Sequence, residues 1–168
     1  MTLTTHAVVG AALATAVPTH PVLAFGLGFC SHFLLDAIPH WDYSTNSFEE
    51  DKENPMNNDM KIGKSFLFDL CKISLDFLLG FVLTFLFFGR LGNFSLDVTL
   101  FSGALGAVLP DALQFLYFKW RHEPAISIQK FYLWIHSKKE LKDEPLIGIS
   151  SQIVFVALIV LLQKVFTR

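Results

Sequence analysis

The stretch Gly28-Phe29-Cys30-Ser31-His32-Phe33-Leu34-Leu35-Asp36-Ala37-Ile38-Pro39-His40-Trp41-Asp42 constrains this chain more than any other. It sets a histidine and a carboxylate four residues apart on an otherwise apolar helix, then a second His and Asp just past a proline. Burying an ionisable group in apolar surroundings is expensive unless it is paired, so His32 and Asp36 require partners from elsewhere in the chain. A plain membrane anchor has no use for them.

The apolar surroundings are a property of the whole sequence. Of 168 residues 52% are hydrophobic, 18 of them Phe, and they gather into long runs, which points to the bilayer as solvent for a single membrane domain, 1–168. A formal charge of -2 and the absence of any basic stripe exclude nucleic acid as an expected partner and leave membrane lipid as the surface contacted. Cys30 and Cys71 lie in apolar segments without Cys-x-x-Cys spacing and read as small core residues. No Lys or Arg precedes the first apolar run, and Ala11–Ala16 leads into further hydrophobic chain. The start is therefore expected to be mature structure, with no cleaved signal.

The expected fold is all-α, a polytopic integral membrane bundle of about five hydrophobic helices. Thr4 or Thr5 can cap a helix through Ala7 to Val17, closed by Pro18 and Pro21 around His20. Val22 to Ile38 returns. Crossing ~30 Å of hydrocarbon takes about 20 apolar residues, so this first pair either spans or forms a re-entrant N-terminal hairpin. Residues 41–64 turn polar and read as a solvated, poorly ordered loop. Ser65 to Phe88 is the clearest span. Gly89 to Asn93 form a turn, and Leu96 to Phe118 form the next span, with Gly103 and Gly106 for close packing and a kink at Pro110. In the charged segment 119–143, Ile126 to Ile135 suits a helix in the headgroup region. Pro145 to Leu162 is the last apolar helix. Small residues Gly10, Ala14, Gly26 and Gly28 let the first two helices pack closely.

This order places the N-terminus, 41–64 and 119–143 on one side of the membrane. That side carries Lys52, Lys61, Lys64, Lys119, Arg121, Lys130, Lys138, Lys139 and Lys142, against Arg90, Lys164 and Arg168 opposite, so it is expected to be cytoplasmic. His6, His32, Asp36, His40, Asp42, Asp69, Asp111 and His136 all come out at that end.

Neutral imidazoles and carboxylates are ligands for zinc, and for manganese or iron with more oxygen donors. His32 and Asp36, at i and i+4, share one helical face and can reach one ion. His6 is a further metal candidate. His40 and Asp42 either complete the shell or hold a second metal, and a spare carboxylate, Asp111 or Asp69, can act as general base. Structural alternatives stay open. The His32–Asp36 pair can be a hydrogen-bonded couple that fixes helix packing. His6 can cap its helix and His136 can be an ordinary interfacial residue. Asp111 can be a residue of a helix N-terminus, and Asp69 and Asp76 can pair with Lys72 along their own helix.

At Thr5-His6 with Gly10, and at Gly28-x-x-Ser31-His32-x-x-Leu35-Asp36-x-x-Pro39, the chain resembles the bacterial inner-membrane-bound metal-dependent hydrolases; Leu109-Pro110-Asp111 is similar to that family's Leu-Pro-Asp element. The likeness covers about a third of the chain. It implies a small multi-helix membrane protein with His6, His32, Asp36 and Asp111 at a metal site. The family's further Asp and His after Pro-Asp are replaced by Ala112-Leu113-Gln114, and its His-Arg-Gly-x-Thr-His segment has no counterpart. Pro39 to Asp42 offers substitute ligands. The expected function is a metal-dependent hydrolase of an ester or phosphoester, plausibly a lipid, at the cytoplasmic face of the inner membrane. Asp111 and Asp42 are its acid/base groups, and His6, His32, Asp36 and His40 are its metal ligands. A small ion or proton transporter, or a scaffold locked by the His/Asp cluster, are the rivals.

Overall fold

The computed structural model describes residues 1–90, 92–139 and 141–166, with the Phe166 side chain left aside; Leu91 of the expected turn and Arg168 of the charge pattern lie outside the described residues. The helices are α1 (Leu3–Ala14), α2 (Pro21–Asp36), α3 (Lys64–Phe88), α4 (Phe94–Lys119), α5 (Ala125–Ile135) and α6 (Pro145–Phe166). Between α2 and α3 lies a small antiparallel hairpin, β1 (Phe48–Glu49) and β2 (Asp59–Met60), with Phe48 opposite Met60.

Among the described residues three helices, α3, α4 and α6, are long and apolar enough to cross a membrane, and α1 and α2 are two further, shorter apolar helices. The 12 residues of α1 and 16 of α2 rise only ~18 and ~24 Å, short of a ~30 Å hydrocarbon layer. Pro18 and Pro21 cut the apolar run in two, and the pair folds back so that the start of α1 meets the end of α2. In the apolar windows of α3 and α6 only 17% of residues are buried inside the protein, against 50% in α4. Leu67, Phe68, Leu75, Leu86, Ile153, Leu161 and Val165 are among the large apolar side chains left exposed, the surface expected of helices solvated by lipid.

α4 is the central helix. α1, α2, α3 and α5 all pack on it, and Leu96, Leu100, Ala104 and Val108 join Leu3, Ala7, Val8, Ala11, Phe81 and Val160 in one core. The approach is close because it is made at glycine. A Cβ on Gly10 or on Gly28 would strike the Gly103 carbonyl, and one on Gly106 would strike the Phe25 carbonyl. Gly80 of α3 meets Ala7 and Thr4 of α1 in the same way, whereas Gly26 faces open space.

The first turn of α1 is held in a way that its own sequence does not disclose. Thr2, rather than Thr4 or Thr5, is the N-cap, and its hydroxyl accepts from the Thr5 amide at 3.4 Å. The stronger cap comes from α3. Asp76 accepts from the amides of Leu3 at 2.7 Å and Thr4 at 3.1 Å and from the Thr4 hydroxyl at 2.6 Å, where orphan N–H groups and the helix dipole favour an anion. Intrahelical pairing of Asp76 with Lys72 is therefore corrected: the Lys72 ammonium donates to the Ser44 carbonyl and lies near Asp69 at 3.5 Å.

Three further expectations change. Residues 41–64 are folded: Asp51 and Asn54 cap their own turns, the Tyr117 hydroxyl donates to the Met56 carbonyl at 2.7 Å, and Lys119 pairs with Asp59 at 2.7 Å. The buried Asp69 carboxylate anchors the same segment by accepting from the amide and the hydroxyl of Ser47, each at 2.7 Å. Cys30 and Cys71 are exposed, since each lies on the outward face of an apolar helix. α4 continues through Pro110, so Asp111 sits in the helix interior and not at a helix start.

Replacing Asp76 by Ala strands the first amides of α1 and is expected to lower stability by roughly 1–2 kcal/mol, read as an earlier thermal unfolding transition in detergent. An unchanged transition would show that the α3 cap on α1 is dispensable.

Candidate metal centre

Helix pairing at the glycines brings the start of α1, the end of α2, the second half of α4 and the end of α5 to one end of the bundle. His6 lies one turn into α1, and His32 and Asp36 lie on the last turns of α2. All three are buried, with 0%, 0% and 1% of their surfaces exposed. Their ligand atoms lie within 4.8 Å of one another. His6 Nε2 is 3.2 Å from Asp36 Oδ1, His32 Nε2 is 3.2 Å from Asp36 Oδ2, and the two imidazoles stack with centroids 4.1 Å apart.

The hydrogen-bond inventory says more than proximity does. A backbone carbonyl only accepts, so the 2.8 Å contact of His32 Nδ1 with the Ala107 carbonyl puts a proton on Nδ1. In the neutral ring Nε2 then carries a lone pair, and it points at a carboxylate. His32 Nε2 has no hydrogen-bond partner, and neither ring nitrogen of His6 has one. Buried lone pairs facing carboxylate oxygens need a cation between them, or a proton on the ring.

His40, just beyond α2, repeats the pattern. Its Nδ1 donates to the Ile38 carbonyl at 2.7 Å, and its Nε2 lies 3.7 Å from Asp36 Oδ1. Burial, helped by the nearby Met1 ammonium and opposed by Asp36, holds the His40 imidazole down at about 4, so at neutral pH it is an uncharged donor of electrons. Asp36, His40 and His136 form a second group whose ligand atoms lie within 4.8 Å of one another.

Asp111 approaches from α4, with Oδ1 3.7 Å from His32 Nε2 and its side chain 33% exposed. It is the carboxylate on the open side of the group. Asp42 is more exposed, at 42%, and lies 3.9 Å from the Met1 ammonium, which also contacts Asp36 at 3.1 Å. Asp69 is taken up by Ser47 and Lys72, so it is not a spare base for the histidines. His20 and His122 are exposed.

Two participants go beyond the expected ligand set. His136, which the sequence puts at this end of the chain but outside the metal candidates, as an interfacial histidine can be, joins Asp36 and His40. Gln152, on the otherwise apolar α6, donates to the Trp41 carbonyl at 2.7 Å and accepts from the Thr2 and Thr5 hydroxyls at 2.9 and 3.0 Å. It ties the beginning of α1 to the segment that carries His40 and Asp42. A polar side chain in the first half of an apolar helix was the one available signal.

The described residues together define an all-helical fold with three membrane-length helices and a buried His/Asp group able to hold a metal ion. Comparison with protein-family profiles, with curated proteins and with solved structures finds no match to this chain.

Replacing Gln152 by Leu leaves the Trp41 carbonyl and two threonine hydroxyls without their buried partner, and a loss of roughly 1–3 kcal/mol is expected. Thermal unfolding of the purified variant in detergent checks it; a wild-type transition would show that water replaces the glutamine.

Proposed function

We propose that this protein is a metal-dependent hydrolase embedded in the cytoplasmic membrane, acting on an ester or phosphoester, with a lipid as its substrate. The observation that carries the reading is the unpartnered, fully buried Nε2 atoms of His6 and His32 converging on Asp36. Two imidazoles and a carboxylate are a zinc-type donor set, and manganese or iron would suit if Asp111 and Asp42 join as oxygen donors. The short motifs shared with inner-membrane metal-dependent hydrolases point the same way.

A divalent cation bound there supplies Lewis-acid chemistry, polarising an ester or phosphoryl oxygen and making water acidic enough to attack near neutral pH. The chain's own residues do the rest. The Ala107 carbonyl holds the His32 ring in one tautomer and one orientation. Stacking on His32 restrains His6. Asp111, beside the group and open on one side, accepts the proton of the attacking water. The donor-bearing ends of α1 and α2 lie on the side richer in Lys and Arg, which supports a site at the cytoplasmic headgroup level. Lipid-exposed flanks on α3 and α6 would allow a lipid to approach without leaving the bilayer.

A packing lock is the rival with an observation in its favour, since a protonated His32 pairs with Asp36 at 3.2 Å without any metal. Transport is disfavoured, because Asp76, an acid on the apolar α3, is spent on the amides of α1.

Elemental analysis of the detergent-purified protein separates these readings. Zinc, manganese or iron is expected to be retained by the wild type and lost from His32→Ala and Asp36→Ala, with Asp111→Asn keeping the metal while hydrolysis of lipid esters and phosphoesters falls by about 100-fold or more. Folded wild type that holds no metal after exposure to all three ions would establish the lock and end the hydrolase proposal.

A further inference from the structure

The proposed hydrolase needs one cation, but the donors around Asp36 fall into two groups. His6, His32 and Asp36 make one, and Asp36, His40 and His136 make the other; only Asp36 is common to both. Ligands on a single zinc-sized ion stand ~2.1 Å from it and so no more than ~4.2 Å from one another. Four imidazoles divided in this way do not close round one ion.

The second group is built with as much care as the first. His40 is 4% exposed, and its Nδ1 is fixed by Ile38. The His136 Nδ1 donates to the Ser137 carbonyl at 3.0 Å, which again leaves Nε2 as the lone pair of the neutral ring. The segment bearing His136 is stitched to the end of α2 by two backbone bonds, from the Ser137 amide to the Asp36 carbonyl at 2.8 Å and from the Leu141 amide to the His40 carbonyl at 3.0 Å. The His40 and His136 rings meet edge to face, 5.1 Å apart. Three of the four histidines thus have Nδ1 committed to a backbone carbonyl, the arrangement by which proteins set the tautomer and aim of metal-binding imidazoles.

The Asp36 carboxylate faces both groups: its Oδ1 is 3.2 Å from His6 Nε2 and 3.7 Å from His40 Nε2, and its Oδ2 is 3.2 Å from His32 Nε2. Both oxygens carry lone pairs, so one carboxylate can be shared by two ions. Asp36, Asp42 and Asp111 bring three negative charges against the four positive charges of two divalent ions and that of the Met1 ammonium, 3.1 Å from Asp36, so the centre is electropositive and suited to an anionic ligand. We infer that this protein carries a second divalent-cation site made by His40, His136 and Asp36, with Asp36 bridging it to the site at His6 and His32. This rests on the first site being a metal site, and the two stand or fall separately in the following experiment.

The full-length protein in detergent is stripped with a chelator, reloaded with Zn²⁺ and assayed for bound metal, and in parallel reloaded with Mn²⁺ for electron paramagnetic resonance. Two equivalents of zinc are expected in the wild type and about one in His136→Ala. His136→Asn, which keeps a polar group of similar reach, is expected to match His136→Ala. The wild-type manganese spectrum should show an exchange-coupled pair, replaced in both variants by the six-line signal of an isolated ion. One equivalent in the wild type, retained in the His136 variants, would overturn the second site and leave the hydrolase proposal standing. No metal in folded wild type would overturn both. Should His136→Ala fail to fold, His136→Asn and the wild-type spectrum decide the matter alone.

Discussion

A carboxylate with 1% of its surface exposed stays ionised only if positive charge or hydrogen-bond donors surround it, and the bundle is arranged about meeting that demand at Asp36. Imidazoles arrive from α1, from its own helix, from the segment after α2 and from the end of α5. Each comes from a different part of the chain, so the carboxylate is also the point at which the tertiary structure is cross-linked. In a protein whose outer helices expose apolar faces long enough for a bilayer, such polar convergence supplies specificity that apolar contacts do not.

Close helix approach is what makes the convergence feasible. Gly10, Gly28 and Gly103 let the backbones of α1, α2 and α4 nearly touch, which sets the relative height and rotation of the helices and hence where His6 and His32 project. Asp76 and Gln152 then fasten the first turn of α1 from the α3 and α6 sides. Both are polar residues on long apolar helices. Their partners are the unsatisfied amides and hydroxyls of a neighbouring helix start.

Legibility followed the range of the interaction concerned. His32 and Asp36 could be paired from the sequence because i and i+4 share a face in any α-helix, and Gly10, Gly28, Gly103 and Gly106 could be marked as packing positions because a Cβ there would strike backbone, although Gly26, marked with them, faces open space. α3, α4 and α6 could be recognised because length and hydropathy are local quantities. The number of spans could not, since the break at Pro18 and Pro21 leaves two helices whose burial depends on α4. The 41–64 segment looked like solvated loop by composition, but its Asp and Asn residues close turns and its partners Tyr117, Lys119 and Asp69 lie outside the segment.

His136 is the clearest case of what the sequence withheld. Nothing in its neighbours distinguishes a ligand from a boundary histidine, and only the backbone bonds that join residues 137 and 141 to residues 36 and 40 bring it to Asp36. By itself the sequence determined an all-helical, lipid-compatible chain with an i, i+4 His–Asp pair that had to find partners, because periodicity, hydropathy and the cost of burying charge are local properties. Which partners it found, and that they fall into two groups about one carboxylate, was decided by the glycine-mediated crossing of α1, α2 and α4, a three-dimensional fact with no one-dimensional signature.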